Sequence, residues 1–280
     1  MQRFSFNEIP FMDFSFWSFI KFISERLKYT DRNSGFVKSY SADEVLTLCN
    51  RFNISINQPL IATALKYCDM RANLLNASAP MFMDAATAEN EFLKLQKIHT
   101  QERLTCKLPR NKQKGAMNNI AFFTAMINIL TELTIRKITG CRDGACFDDD
   151  PRTLLNVRDA FERIVGVSSR RFDGAYPNTV YPKIVWEIKE YYYTTTFGSR
   201  IADGVYETLL DGYELNEIQQ RTGQKIFHIL FIDAYDTWWG MGKSYLCRII
   251  DALNMGLVDE VIIGKEIFAR WPMLLRQLVP

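Results

Sequence analysis

The chain has 280 residues, of which 48% are hydrophobic and 24% charged, and this composition excludes a disordered or fibrous protein. Its formal net charge of +2 is too close to zero to indicate a class of partner. No apolar run approaches the ~20 residues that a membrane-spanning helix needs. The aromatic N-terminus, interrupted by Glu8 and Asp13, lacks the features of a signal peptide. We therefore expect a soluble, cytoplasmic protein that does not bind membranes.

Helices are predicted for most of the N-terminal part. Apolar spacing predicts them over residues 14–28, 41–52 and 59–76, and Ser41 with Glu44 forms a capping-box pattern at the start of the second. The second and third helices are joined by a short segment. This is typical either of a helix-turn-helix that reads DNA or of two packed helices in a bundle, and the absence of a markedly basic helix favours the bundle.

A basic segment follows at residues 101–115, where Pro109 and Gly115 disfavour a regular helix. Its excess of positive charge fits either a solvated linker or an arm that contacts phosphates. The candidates for DNA contact in this segment are Arg110, Lys112 and Lys114.

In the second half of the chain, helices alternate with strands. An apolar helix is predicted over residues 118–137 and a further helix over 151–167, beginning at Pro151. After them, three strands at about 180–190, 225–233 and 260–264 alternate with helices at about 199–220 and 243–256 and a last helix. This order indicates an α/β fold with a mostly parallel or mixed sheet that helices cover on both faces.

A charged pair, Glu187 and Lys189, stands in the first of these apolar strands. Because side chains alternate between the faces of a strand, Ile184, Trp186 and Ile188 would point to one face and the charged pair to the other. Burying unpaired charges costs on the order of several kcal/mol. The pair is therefore either a structural ion pair or part of an active site.

The sequence around this pair resembles the PD-(D/E)XK nuclease superfamily. The resemblance rests on Asp173 in a turn-like F-D-G sequence, on the E-x-K tripeptide fourteen residues later, and on the helix and strands that follow, and it covers roughly residues 117–270. Phe172 stands where the family often has proline. The resemblance implies a restriction-endonuclease-like core, in which helices flank a mixed central sheet, preceded here by a helical N-terminal region.

The resemblance further implies that Asp173 and Glu187 bind Mg²⁺ and that Lys189 positions or activates the attacking water. These residue types suit that chemistry, because Mg²⁺ prefers carboxylate oxygens and keeps several waters, while an ammonium group holds water or an anion. Many members also use an acid on the preceding helix. Glu162 is the first candidate for it and Asp159 the second.

Two further segments are candidates for phosphate contact. Thr195, Ser199 and Arg200 stand at the start of the helix after the E-x-K strand, where hydroxyl and guanidinium groups commonly hold phosphates; N-capping by Ser199 is the alternative. Lys243 lies in a G-K-S sequence between a strand and a helix, but Thr237 stands where a P-loop requires glycine. We therefore expect no nucleotide cofactor and take Lys243 as a candidate DNA contact.

The six cysteines are scattered and both histidines are isolated, so no zinc-site spacing is present. We expect reduced, structural thiols.

Together with this resemblance, these features predict a Mg²⁺-dependent endonuclease that hydrolyses double-stranded DNA. The resemblance implies further that the enzyme is sequence-specific, similar to type II restriction enzymes, and from a prokaryotic cell. Cutting both strands calls for one site per strand and hence a homodimer. The alternatives are a repair, junction-resolving or defence nuclease of the same fold, or a non-catalytic DNA-binding regulatory protein. On this interpretation residues 1–100 form a helical region that is a candidate for DNA binding, 101–116 a basic linker, and 117–280 the catalytic domain.

Overall fold

In a computed structural model of the protein, the described residues are 14–55, 58–111, 119–142, 146–193 and 198–280. Their helices and strands follow in the order α1 (Phe14–Leu27), α2 (Ala42–Arg51), α3 (Gln58–Ser78), α4 (Ala85–Gln101), α5 (Phe122–Thr139), β1 (Asn156–Arg158), β2 (Ile164–Val167), β3 (Gly174–Tyr176), β4 (Ile184–Glu190), α6 (Ser199–Thr222), β5 (Phe227–Asp233), α7 (Lys243–Met255), β6 (Glu260–Ile263) and α8 (Ile267–Leu278).

A four-stranded mixed sheet forms the centre, with the strand order β3-β4-β5-β6. Strand β3 runs antiparallel to β4, whereas β4, β5 and β6 are parallel to one another. The parallel strands are joined through α6 and α7, as parallel crossovers require. The mixed α/β fold predicted from the sequence is confirmed.

Helices cover both faces of this sheet. One hydrophobic cluster joins α4, α5 and α8 to one face, and a second joins α3, α6 and α7 to the other. Strand β4 shows the alternation, since Trp186 belongs to the first cluster and Val185 faces α6 in a third. The indole of Trp186 lies edge-on to that of Trp271 at 5.5 Å. Among the described residues, no helix combines the length and the apolar character needed to cross a membrane.

The three N-terminal helices share a hydrophobic cluster of their own. The predicted capping box is present: Glu44 N donates to Ser41 Oγ at 3.2 Å, and Ser41 N donates to the Glu44 carboxylate at 2.9 Å. Helix α3 is also tied to α7 by a buried ion pair between Arg71 and Asp251 at 2.9 Å. The helices α2 and α3 thus belong to a packed bundle, and a DNA-reading role for them stays a prediction.

The helix predicted over residues 151–167 is wrong, because this segment forms the antiparallel hairpin β1–β2. Asp159 starts the turn between its strands: the Asp159 carboxylate accepts hydrogen bonds from the amides of Phe161 at 2.8 Å and Arg163 at 3.1 Å. Such side-chain bonds to the local backbone compete with helix formation. Glu162 adopts a φ of +60° in the turn, which a right-handed helix does not allow.

Two other features differ from the sequence-based expectations. Helix α4 was not predicted; Asp84 caps it by accepting from Thr87 N at 2.7 Å, and it shares the core cluster of α5 and α8. The thiols of Cys141 and Cys146 were expected to be reduced, but the structure joins them in a disulfide across a Cα–Cα distance of 6.1 Å. The free cysteines of the described part are buried: Cys49, Cys68, Cys106 and Cys247.

Candidate active site

Asp173 and Glu187 lie opposite each other at the start of the antiparallel pair β3–β4. The register pairs Gly174 with Trp186, so one step further it pairs Asp173 with Glu187, and Asp173 N donates to Trp186 O at 3.0 Å. Opposite side chains of such a pair share a face, with Cβ atoms about 4.5–5.5 Å apart. The Asp173 carboxylate also accepts from Ile188 N at 2.7 Å, which fixes its position beside Glu187.

Gly174 allows this approach. A Cβ atom at residue 174 would lie 2.1 Å from the Trp186 ring, so a larger residue would push β3 away from β4. The glycine of the F-D-G sequence is therefore required by the packing that brings Asp173 to Glu187.

Lys189 follows Glu187 by two residues and points to the same face, toward α6. Its ammonium group donates to Glu187 Oε2 at 2.9 Å and to Glu207 Oε2, from α6, at 2.8 Å. Gly204, one turn before Glu207, lies against the Lys189 side chain, because a Cβ there would be 3.5 Å from Lys189 Cδ. Both members of the predicted charged pair are buried.

Arg170 completes the network from the loop before β3. Its guanidinium contacts Glu187 at 3.0 Å, Asp211 at 2.8 Å and Glu207 at 3.1 Å. Glu207 and Asp211 are four residues apart on α6 and so lie on one face of the helix. We call these six residues the charged site: Asp173, Glu187, Lys189, Arg170, Glu207 and Asp211.

Three of the six residues of the charged site were not predicted from the sequence: Arg170, Glu207 and Asp211. A pair of acids four residues apart on a helix is usually a solvated face, and an arginine three residues before Asp173 follows no motif. Only the packing of α6 against β4 brings Arg170, Glu207 and Asp211 to the predicted triad.

Burial and mutual charge shift the pKa values of this site. Surrounding protein atoms displace water from the Asp173 carboxyl and, with the charge of Glu187, raise its pKa from 3.8 to about 7, although the residue is open to solvent on one side. The same two causes raise the pKa of Asp211 to about 7. Burial acts to lower the pKa of Lys189, but the surrounding acidic groups, Glu187 first among them, together outweigh it and the pKa rises.

The charged site has more acids than bases and holds buried oxygens that no described residue satisfies. Four carboxyls face two cations, Lys189 and Arg170. Within the described chain, Glu187 Oε1 and Asp211 Oδ1 have no hydrogen-bond partner. Such orphaned atoms cost about 1–3 kcal/mol each, so they favour a bound cation or water.

These observations fit a divalent cation held by few protein ligands. Asp173 and Glu187 offer oxygens on one face of the strand pair, and Mg²⁺ commonly binds through one or two carboxylates and keeps its other waters. Among the described residues there is no group of three or more His, Cys, Asp or Glu side chains arranged to hold a metal.

The acid predicted on the preceding helix is not part of the charged site. Glu162 lies in the β1–β2 turn with 73% of its side chain exposed, paired with Arg158 at 3.2 Å. Asp159, the second candidate, is bound to Arg163 at 2.6 Å in the same turn. The structure therefore does not bring either acid to the charged site, because the segment that carries them is a hairpin and not a helix.

Of the predicted DNA contacts, the structure describes the surroundings of Arg110, Arg200 and Lys243. Lys112, Lys114 and Thr195 lie outside the described residues, and Ser199 is described only as the first residue of α6. The backbone of Arg110 bridges to Ile120, and Arg200 is exposed at the start of α6. Lys243 begins α7 and lies 4.7 Å from the Trp239 ring. Their roles in DNA binding stay predictions.

Comparison with known families supplies a classification. The family model described as "Domain of unknown function (DUF7687)" matches residues 83–278, which is more than half of the chain. The chain belongs to this family. The DUF7687 match contains the whole charged site, and a second model, "Domain of unknown function (DUF7690)", matches residues 3–78. No curated protein and no solved structure matches the chain.

Proposed function

We propose that this DUF7687 protein is a Mg²⁺-dependent endonuclease that hydrolyses phosphodiester bonds of double-stranded DNA with sequence specificity, in the manner of a type II restriction enzyme. The observation that carries the proposal is the convergence of Asp173, Glu187 and Lys189 on one face of β3–β4. A carboxylate pair beside an ammonium group, open to solvent at Asp173, suits hydrolysis of a phosphodiester.

The order of the elements supports the same proposal. The first acid precedes β3, the E-x-K tripeptide lies on the antiparallel neighbour β4, and helix α6 leads to the parallel strand β5. This agrees with the restriction-endonuclease-like core that the sequence resemblance implies, with α5 and α8 on one face and α6 and α7 on the other.

Asp173 and Glu187 are the residues that would hold the metal. Mg²⁺ bound there would acidify a water ligand and neutralise negative charge on the scissile phosphate. Glu187 Oε1 has no described partner, and Asp173 uses one carboxylate oxygen for the amide of Ile188, so each side chain keeps an oxygen for a ligand.

The remaining side chains of the charged site orient the reacting groups or hold the acids in place. Lys189 is protonated at neutral pH, because its pKa is raised, and it therefore donates hydrogen bonds to a phosphate oxygen or to the attacking water and does not abstract a proton. Arg170 holds Glu187 and Asp211 in place. Asp211, with a pKa of about 7, takes up or releases a proton near neutral pH.

A second candidate function is a non-catalytic DNA-binding regulatory protein. It is favoured by the fact that Lys189 and Arg170 already pair with Glu187, as in a structural ion-pair network. A repair, junction-resolving or defence nuclease would share the same site, and assembly as a homodimer and a cytoplasmic location belong to the proposal.

Plasmid incubated with the protein in Mg²⁺ and in EDTA separates these functions. The proposal expects discrete fragments in Mg²⁺, none in EDTA, and none from Lys189→Ala at equal protein concentration. A smear would mean a nuclease without sequence specificity. Intact plasmid that is retarded in a gel would identify a binding protein, and fragments from Lys189→Ala equal to those of the wild type would refute the assignment of this site.

A further inference from the structure

An open cleft of about 780 Å³ lies between the β1–β2 hairpin and the loop that leads into β3. Residues on both sides of it carry guanidinium groups, and no Asp or Glu is among the residues that line it. We call it the arginine cleft, after its four arginines Arg152, Arg158, Arg170 and Arg171.

Three of these arginines are available to a ligand. Arg152 is bound to Asp150 and Arg158 to Glu162, but these pairs are at the surface, where ion pairs are worth only about 0–1 kcal/mol. Arg171 is exposed and makes no ion pair with a described residue. A polyanion therefore gains three guanidinium contacts for a small loss of existing interactions.

The arginine cleft is continuous with the charged site. Arg170 lines the cleft and also contacts the buried carboxylate of Glu187 at 3.0 Å. Arg171 is only two residues before Asp173. A chain of phosphates lying in the cleft would thus pass beside the charged site.

The chemistry of the lining suits a sugar-phosphate backbone. Guanidinium groups bind phosphate oxygens in a bidentate manner, and Thr153 and Asn156 add polar groups. Leu154, Ile164 and Val167 form an exposed apolar wall in the same cleft, which can contact sugars. The cleft is open to the surface, so a large ligand can reach its lining.

We infer that the arginine cleft binds the phosphodiester backbone of duplex DNA beside the bond that the charged site cleaves. This inference rests on the proposed function for its substrate. It gives the β1–β2 hairpin the role of a sequence-independent clamp.

The test measures binding of a short fluorescent duplex by anisotropy in EDTA, over a series of salt concentrations. Arg152→Gln combined with Arg171→Gln should lower the affinity by at least about tenfold at moderate salt and should reduce the slope of log K against log salt by about two, because two phosphate contacts are lost. Both residues are exposed, so the variant is expected to fold, which a thermal melt verifies.

The matched control is Lys97→Gln combined with Arg276→Gln. It removes the same charge from exposed positions of α4 and α8, which cover the sheet face away from α6. A salt slope for the cleft variant equal to that of the control overturns the inference, as does a wild-type protein that binds no duplex or prefers the matching single strand.

In this design, the assignment of the arginine cleft and the assignment of nuclease activity can be refuted separately. If the wild type binds through the arginine cleft but leaves plasmid intact in Mg²⁺, the cleft stands and the nuclease assignment fails. If the wild type cleaves plasmid and the cleft variant binds like the control, the nuclease stands and the cleft assignment fails.

Discussion

Arg170 and Asp211 lie 2.8 Å apart, and this contact fixes α6 to the loop before β3. The guanidinium nitrogen that contacts Asp211 also contacts Glu187 at 3.0 Å, so one group joins a helix, a loop and the central sheet. The position of both acids in the charged site depends on this arginine.

Arg170→Ala is expected to lower the free energy of unfolding by about 2–4 kcal/mol. Loss of one partner from a buried ion pair typically costs about 3–5 kcal/mol, but Lys189 still pairs with Glu187, which reduces the loss. Urea denaturation measures it. Arg170→Lys, which keeps the charge, should recover part of the stability, and equal midpoints for the wild type and the alanine variant would show that the contact is not made.

Lys189→Ala is expected to reduce the cleavage rate by about 10²–10⁴-fold, the range typical of a positioned group that acts in the transition state. The affinity for DNA in EDTA should change little, because the phosphate contacts of the arginine cleft remain. Single-turnover cleavage measures the rate, and fluorescence anisotropy of a labelled duplex measures the affinity. Lys183→Ala, at an exposed position just before β4, is the control and should cleave like the wild type.

Glu187→Gln is expected to abolish stabilisation of the fold by Mg²⁺. A ligand that binds only the folded state stabilises it by about 2.7 kcal/mol at a hundredfold excess over Kd, and the amide removes the charge that would hold the ion. Thermal melting with and without Mg²⁺ measures this. The control Glu217→Gln, on the exposed face of α6, should keep the full Mg²⁺-dependent rise in melting temperature. A full Mg²⁺-dependent rise in the melting temperature of Glu187→Gln would show that the ion binds at another site.

Stability without metal is expected to fall as the pH rises from about 5 to about 8. The folded-state pKa of Asp211 is raised from 3.8 to about 7, so folding takes up a proton at pH values between these two. The free energy of unfolding that this proton contributes is lost as the pH rises through about 7. The lowered pKa of His228 acts in the opposite sense. Asp173, Glu190 and Asp233 have pKa values raised in the same way as Asp211.

The check is the midpoint of urea unfolding in EDTA at several pH values, for the wild type and for Asp211→Asn. The variant should show a shallower decline, because one of the groups that take up a proton on folding has been removed. A wild-type midpoint that rises over this range would contradict the raised pKa values.

Much of the fold followed from local patterns. The alternation of β4 predicted its two faces, and the N-terminal helices and the strands β5 and β6 lie within a few residues of their predicted bounds. The hairpin β1–β2 was misread because its apolar residues also fit a helical spacing, and only the Asp159 turn distinguishes the two. Strand β3 has three residues, too few to give a periodic signal.

The charged site was only partly predictable for a different reason. Asp173, Glu187 and Lys189 belong to adjacent strands and carry a short sequence motif. Arg170 and Asp211 are 41 residues apart, and nothing in either local sequence indicates the other. Their meeting is a result of tertiary packing, in which α6 lies on β4 through the hydrophobic contacts of Val185, Leu215 and Ile218.

The buried pair of Arg71 and Asp251 determines how small a piece of this chain can fold. Arg71 lies in the segment matched by DUF7690 and Asp251 in the segment matched by DUF7687, and Tyr67 and Ser24 hydrogen-bond to the same pair at 2.6 and 2.8 Å. A truncation between the two segments would remove this ion pair and expose the apolar residues of α7 that pack against Ala72 and Leu75 of α3. We therefore expect the two segments to unfold together, in a single transition.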